Sequence, residues 1–191
     1  MGRFYANLTL QTDDLTRVRQ CMLDAGRTGI IAKPQHGAIV VFDADDAAQD
    51  AVVLDSLAVR YARTLGCAAL SVIVHDDSLL MLSVFDHGEP LDVYISNPEY
   101  FGVSDEDDPL EQGGDAHAIA RCFGIPAEAD RVEALFRAAG ETFVFETERH
   151  RQLMEILHTS LAGVGVGYED LINGEYADGL TSTDYVDMSE R

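Results

Sequence analysis

Three β-prone runs in the middle of the sequence constrain the fold more than any other feature. They cover residues 69–75, 78–85 and 91–96, are rich in Val, Ile, Leu and aromatic residues, and are separated by short polar breaks at 75–77 and 86–90. Apolar runs of this length, bounded by Asp, Gly and Pro, are typical of antiparallel strands joined by hairpins. The first two are apolar on both faces, which predicts a central position under helices, whereas the third alternates and is expected nearer an edge.

The segments before this meander supply the rest of a sheet. Hydrophobic periodicity predicts the order strand, helix, strand, strand, helix, strand, over residues 4–10, 12–26, 28–33, 38–42, 43–65 and 69–75. Helical patterns then resume at 115–123, 127–139 and 147–161. We therefore predict an α+β fold in which a ferredoxin-like βαββαβ order, with helices on one face, is extended by the meander into a mainly antiparallel sheet and followed by C-terminal helices.

Length and composition indicate one domain. A chain of 191 residues with 47% hydrophobic content can bury a core without disulfides. We expect a single α+β domain over residues 1–175, with a sheet-rich half at 1–101 and a helical half at 115–161. Residues 176–191 are expected to form a mobile acidic tail.

The charge balance restricts the possible partners. The chain carries 34 acidic and 13 basic residues, a formal net charge of −21. Such a field repels phosphates and anionic lipids, which argues against nucleic acid and membrane surfaces as partners. The excess has two interpretations, solubility in a salt-rich habitat or an acidic face for a basic protein partner, and the sequence leaves both open, together with the oligomeric state.

Targeting signals and cysteine usage indicate the compartment. The sequence has no signal-peptide pattern and no run of about eighteen apolar residues. Its three cysteines lie far apart, in apolar segments. Buried free thiols are expected, and the predicted location is the cytoplasm.

An acidic segment after the meander is the candidate partner-binding site. Aromatic residues beside charge are common at the centres of protein interfaces. The predicted binding residues are Tyr100, Phe101, Asp105, Glu106, Asp107, Asp108 and Glu111. The alternative is that the two aromatic residues pack onto the core.

Three histidines near carboxylates are candidate metal ligands. His75, Asp76 and Asp77 form one predicted hairpin tip, while His150 and His158 follow glutamates at helical spacing. Asp-rich tips also suit tight turns, and Glu-His spacing also suits side-chain pairing on a solvated helix face. Because no phosphate-binding loop, nucleophile elbow or zinc motif is present, no cofactor is predicted.

The sequence resembles a known group in three places. These are residues 4–10, residues 88–94 with Pro98 and Tyr100-Phe101 after them, and residues 167–171 with Gly174-Glu175. The pattern is similar to an uncharacterised family of small acidic bacterial proteins. The resemblance implies a bacterial, cytoplasmic protein and carries no activity with it.

These observations favour a non-enzymatic protein-binding module. Its most concrete form is an immunity protein that occludes a basic toxin or effector through an acidic face, since acidic single-domain α+β proteins of this size are common in that class. The alternative is a divalent-metal-dependent enzyme or metal-binding sensor that uses the histidine and aspartate candidates.

Overall fold

The computed structural model describes residues 2–45, 49–100, 102, 112–138 and 143–188. The strands in these residues are β1 (Tyr5–Leu10), β2 (Gly29–Ala32), β3 (Ile39–Asp43), β4 (Ala68–His75), β5 (Leu79–Asp86), β6 (Glu89–Ile95) and β7 (Tyr185–Asp187). The α-helices are α1 (Leu15–Asp24), α2 (Ala51–Leu65), α3 (Ala116–Cys122), α4 (Ala129–Arg137), α5 (Glu146–Ile156) and α6 (Tyr168–Ile172). The prediction of an α+β fold is confirmed.

All seven strands belong to one sheet. Its spatial order is β6-β5-β4-β1-β3-β2-β7, and every neighbouring pair is antiparallel. The three runs of the meander form β4, β5 and β6, with β4 and β5 inside the sheet and β6 at its edge, as the hydrophobic pattern predicts.

Helices cover both faces of the sheet, which differs from the expected cover on one face. On one face, α1 and α2 pack on alternate residues of β1 and β3, such as Leu8 and Ile39. On the other face, α3, α4 and α5 pack on residues of β4 and β5 such as Leu70 and Leu82. The reason is that β4 and β5 are apolar on both faces, so leaving either face bare would expose a large hydrophobic area.

The C-terminal region contains a strand where the sequence predicts a mobile tail. Residues Tyr185–Asp187 pair with Ile30–Ala32 of β2, and Met188 is buried in the core under α1 and α2. These residues are therefore part of the sheet, where the sequence predicts a mobile tail. Pairing satisfies backbone groups that β2 would otherwise leave open at the sheet edge.

The second helix begins later than its periodicity suggests. Its first residue is Ala51, and the side chain of Asp50 caps it by accepting hydrogen bonds from the backbone N–H groups of Val52 and Val53. The predicted start at Asp43 is wrong because Asp43 ends β3 and its buried carboxylate binds Arg27. The predicted end at residue 65 is confirmed, and Gly66 follows it in the left-handed conformation.

The hairpin between β5 and β6 packs tightly against α2. His87 and Gly88 both have positive φ, as a two-residue hairpin turn requires. A Cβ added at Gly88 would lie 2.7 Å from Val59 O and 2.7 Å from Arg63 Cβ. We expect Gly88→Ala to lower the free energy of unfolding by about 1–2 kcal/mol, because it combines backbone strain with this clash. Urea unfolding followed by circular dichroism measures the loss.

Gly66→Ala is the matched control for that prediction. Gly66 also has positive φ, but an added Cβ there meets nothing within 4 Å. It therefore reports the backbone strain alone. An equal loss in the two variants would contradict the tight contact between the hairpin and α2.

Candidate functional site

Most of the predicted partner-binding residues lie outside the described part of the chain. These are Phe101, Asp105, Glu106, Asp107, Asp108 and Glu111. Tyr100 is described and half-buried, and its ring contacts His75 edge-on at 5.6 Å between centroids. His75 in turn contacts Phe4, so Tyr100 belongs to a small aromatic cluster beside the β4–β5 hairpin.

The described residues that follow the acidic segment in the chain bind the edge strand β6. The segment's first described flanking residues follow β6, and after it Gln112 accepts a hydrogen bond of 2.8 Å from the N–H of Ile95. Gly114 then donates to Val93 O at 3.1 Å. The described residues that follow this highly charged segment are therefore attached at the outer edge of β6.

The candidate metal ligands at the β4–β5 tip are used in local structure. Asp76 and Asp77 both have positive φ in the tight turn, and their carboxylates accept hydrogen bonds from the backbone N–H groups of Gly2 and Arg3. Asp77 also binds Thr147 at the start of α5. His75 Nδ1 lies 2.9 Å from Gln49 Oε1. The tip thus connects the N-terminal segment, β4 and α5.

The histidine candidates of the helical half lie in different surroundings. His150 is fully buried, with Nδ1 2.9 Å from the hydroxyl of Tyr5. Burial, and to a lesser degree the nearby charge of Arg151, lowers the pKa of His150 to about 3. His158 is exposed just beyond α5. The expectation that the Glu146–His150 face is solvated is wrong, because α5 packs this face into the core beside β1.

A metal centre does not form among the described residues. Within residues 2–45, 49–100, 102, 112–138 and 143–188, no three His, Cys, Asp or Glu side chains are arranged to hold an ion. His75 binds Gln49, His150 contacts Tyr5, and His158 lies at the surface.

A groove runs between α2 and the edge of the sheet. We call it the α2–β6 groove, and its volume is about 560 Å³. Its walls are mainly apolar, and it is lined by Asp55, Ser56, Val59, Ser83, Val84, Phe85, Pro90, Leu91, Asp92 and Val93. Volume and lining both fall in the range of ligand-binding clefts.

The groove exists because the helical layer is narrower than the sheet. The register pairs Ser71 with Ser83 and Ser83 with Val93, so these side chains share the face on which α2 lies. Helix α2 packs its buried side over β1 and β4 and leaves the face of β6 open. Leu91 is consequently 38% exposed and Val93 47% exposed, large values for apolar residues of a strand.

A carboxylate lies at the base of the groove. Asp55, on the side of α2 that faces β5, accepts a hydrogen bond from Ser71 Oγ on one oxygen and from Ser83 Oγ, at 3.0 Å, on the other. The two serines are direct cross-strand partners. A half-buried carboxylate is thus held in one orientation beside an apolar wall.

The elements that form the groove are acidic in sum. The N-cap of α2, α2 itself, β5 and β6 carry five acidic residues, which are Asp50, Asp55, Asp86, Glu89 and Asp92, and two basic ones, Arg60 and Arg63. Arg60 binds the carbonyl of Asp24 at the end of α1, while Arg63 pairs with Glu89. The local field therefore favours a cationic ligand.

The sequence signals for this site were incomplete. The alternation in β6 predicts that Leu91 and Val93 share a face, but the width of the helical layer over that face depends on packing. In the helical pattern Asp55 occupies a polar position like any other. Ser71 and Ser83 are single polar residues within apolar strands, and neither position indicates a contact with Asp55. Their contact across 16 and 28 residues of sequence had no local signal.

Comparisons of the chain with protein-family models, with curated proteins and with solved structures find no match. In the described parts of the chain, no helix is both long and apolar enough to cross a lipid bilayer.

Proposed function

We propose that the chain is a non-enzymatic protein-binding module that holds a basic, amphipathic segment of a partner protein in the α2–β6 groove. The observation that carries the proposal is the groove itself, an apolar cleft of about 560 Å³ with the Asp55 carboxylate at its base. Grooves of this kind bind the apolar face of a partner segment, and pockets along them select its side chains.

The exposed apolar residues supply the binding energy. Val59, Leu91 and Val93 would lose contact with water when a partner segment lies on them. Burying apolar surface at the centre of an interface contributes most of its affinity. Leu91 and Val93 are therefore the expected centre of the contact.

Charge supplies selectivity and a faster encounter. The net charge of −21, together with Asp105, Glu106, Asp107, Asp108 and Glu111 after β6 in the sequence, attracts a basic partner and repels an acidic one. Occlusion of a basic toxin or effector by a cytoplasmic immunity protein is the most specific form of this function. The free thiols of Cys21, Cys67 and Cys122 support a reducing compartment.

The proposed architecture for the first half of the chain is a ferredoxin-like unit. It is supported by the order β4-β1-β3-β2 in the sheet and by the two helices, α1 and α2, that connect these strands. The remaining strands would then widen the unit at both edges. Because this architecture carries many functions, the functional proposal depends on the groove and not on the fold.

Site-specific photo-crosslinking tests the proposed function. We expect a photo-reactive amino acid at Val93 to form an adduct with one basic protein in the native host. Ile172 is the matched control, because it is also an exposed apolar residue and lies beside a cavity of about 400 Å³ at the opposite edge of the sheet. It is expected to form no such adduct.

Binding of the purified partner completes the test. We expect Leu91→Asp to weaken that binding by roughly tenfold or more, because it places a charge at the apolar centre of the interface. Absence of an adduct at Val93, or equal adducts at Val93 and Ile172, would show that the groove is not the binding surface.

A further inference from the structure

The carboxylate of Asp55 has capacity for a further ligand. An ionised carboxylate offers about four lone-pair positions on two oxygens, and Ser71 and Ser83 each occupy one. The two hydroxyl donors hold the carboxylate plane in place on the sheet. Asp55 is partly exposed and lines the groove. Its remaining positions are therefore available to a donor that enters the groove.

The walls of the groove suit a particular shape of donor. From Asp55 the cleft continues past Val59 on α2 and past Leu91 and Val93 on β6, all apolar. A side chain that is apolar along its stem and cationic at its end satisfies both parts of such a cleft. Among protein side chains, only Lys and Arg have this form.

We infer that the α2–β6 groove is a receptor for a Lys or Arg side chain, with the cationic end on Asp55 and the methylene stem along Val59, Leu91 and Val93. This inference deepens the proposed function and rests on it for the origin of the side chain in a partner protein. The acidic excess of the surrounding elements opposes an anionic ligand, and a purely apolar ligand would leave the carboxylate without its strongest type of partner.

A purely structural role for Asp55 makes a different prediction. If the carboxylate served only to attach α2 to β4 and β5, neutralising it would change stability and would not change the preference of the groove for cations. Binding selectivity therefore separates the two roles.

Small probes test the inference without a known partner. n-Hexylammonium carries the same ammonium charge as a lysine side chain on an alkyl stem that is two carbons longer; n-hexanol is its neutral counterpart, and hexanoate is its anionic one. Binding is followed by the backbone amide signals of Ser83, Leu91 and Val93 in ¹H–¹⁵N spectra of the full chain. We expect hexylammonium to bind roughly tenfold more tightly than hexanol, as a charge-assisted hydrogen bond in a partly desolvated site allows, and hexanoate to bind most weakly.

Two variants with the same change of charge identify the residue responsible. Asp55→Asn should reduce the affinity for hexylammonium to that for hexanol. Glu89→Gln removes one negative charge from the exposed end of β6, outside the lining of the groove, and should leave the preference intact. Spectra of both variants also report whether the fold is kept.

Specific outcomes would overturn the inference. Equal affinity for hexylammonium and hexanol in the wild-type chain, no shift of the groove amides with any probe, or an unchanged cation preference in Asp55→Asn would each do so. If the probes fail while Val93 still crosslinks a partner, only the cationic anchor is wrong. If the probes bind as expected while Val93 crosslinks nothing, the anchor stands and the proposed function is wrong.

Discussion

Replacing Arg149 by Met is expected to lower the free energy of unfolding by about 3–5 kcal/mol, because it leaves a buried carboxylate without its counter-charge. Arg149 is 1% exposed, and its Nε donates to Glu146 Oε2 at 2.9 Å. Its Nη1 donates to Leu135 O at 2.6 Å, and the guanidinium lies 4.5 Å from the ring centroid of Phe143. Urea unfolding monitored by circular dichroism measures the change.

If the loss comes from the unpaired buried carboxylate, two further variants should behave differently from Arg149→Met. Arg131→Met removes an exposed arginine with the same i,i+3 pairing to a glutamate, and its loss is expected to stay within about 1 kcal/mol. Adding Glu146→Gln to Arg149→Met removes the unpaired charge and should recover part of the loss. If Arg149→Met costs no more than Arg131→Met, neither the buried ion pair within α5 nor the hydrogen bond from Arg149 to the end of α4 contributes as expected.

The stability of the chain is expected to fall with pH below neutrality because of His150. Burial lowers the pKa of His150 from 6.5 to about 3. Between these values the unfolded chain binds a proton that the folded chain excludes, so protonation favours unfolding. From pH 7 to pH 5 this effect removes roughly 2 kcal/mol of stability, and more is lost below pH 5.

Two substitutions isolate that contribution. In His150→Gln the free energy of unfolding should depend less on pH, by roughly 2 kcal/mol over the same interval, because the other titrating groups are shared with the wild type. His158→Gln changes an exposed histidine just beyond the same helix and should keep the wild-type dependence. The comparison between the variants and the wild type is made over the interval from pH 7 to pH 5.

Histidine NMR provides a second measurement if His150→Gln does not fold. The imidazole signals of His150 should stay in the neutral form at pH 5 in the wild-type chain. A titration midpoint near 6.5 would contradict the burial of this ring beside Tyr5.

The periodic features of the chain were predictable because they are local. Alternation in β6, the two-sided apolar character of β4 and β5, and the end of α2 at residue 65 each follow from residues within one element. Their outcomes agree with the structure, including the edge position of β6.

The burial of the polar residues of α5 could not be predicted from such a local pattern. Glu146, Arg149 and His150 have the composition of a solvated helix face, yet all three are buried. His150 contacts Tyr5 on β1 and Arg149 donates to a carbonyl group near the end of α4, and no pattern within the helix reveals these two partners. Strand β7 is a similar case, because a run of three residues is too short to predict a strand and pairs only where β2 offers an unpaired edge.

The sequence by itself determined the types of the elements from β1 to α5, the central place of β4 and β5 and the acidic character of the chain, because these depend on periodicity and composition. Only the tertiary structure decided that α2 leaves the face of β6 open, that Asp55 meets Ser71 and Ser83, and that His150 is buried against Tyr5. The physical reason is that these contacts join residues 16 to 145 positions apart, and they form only when helices and sheet pack at particular positions relative to each other.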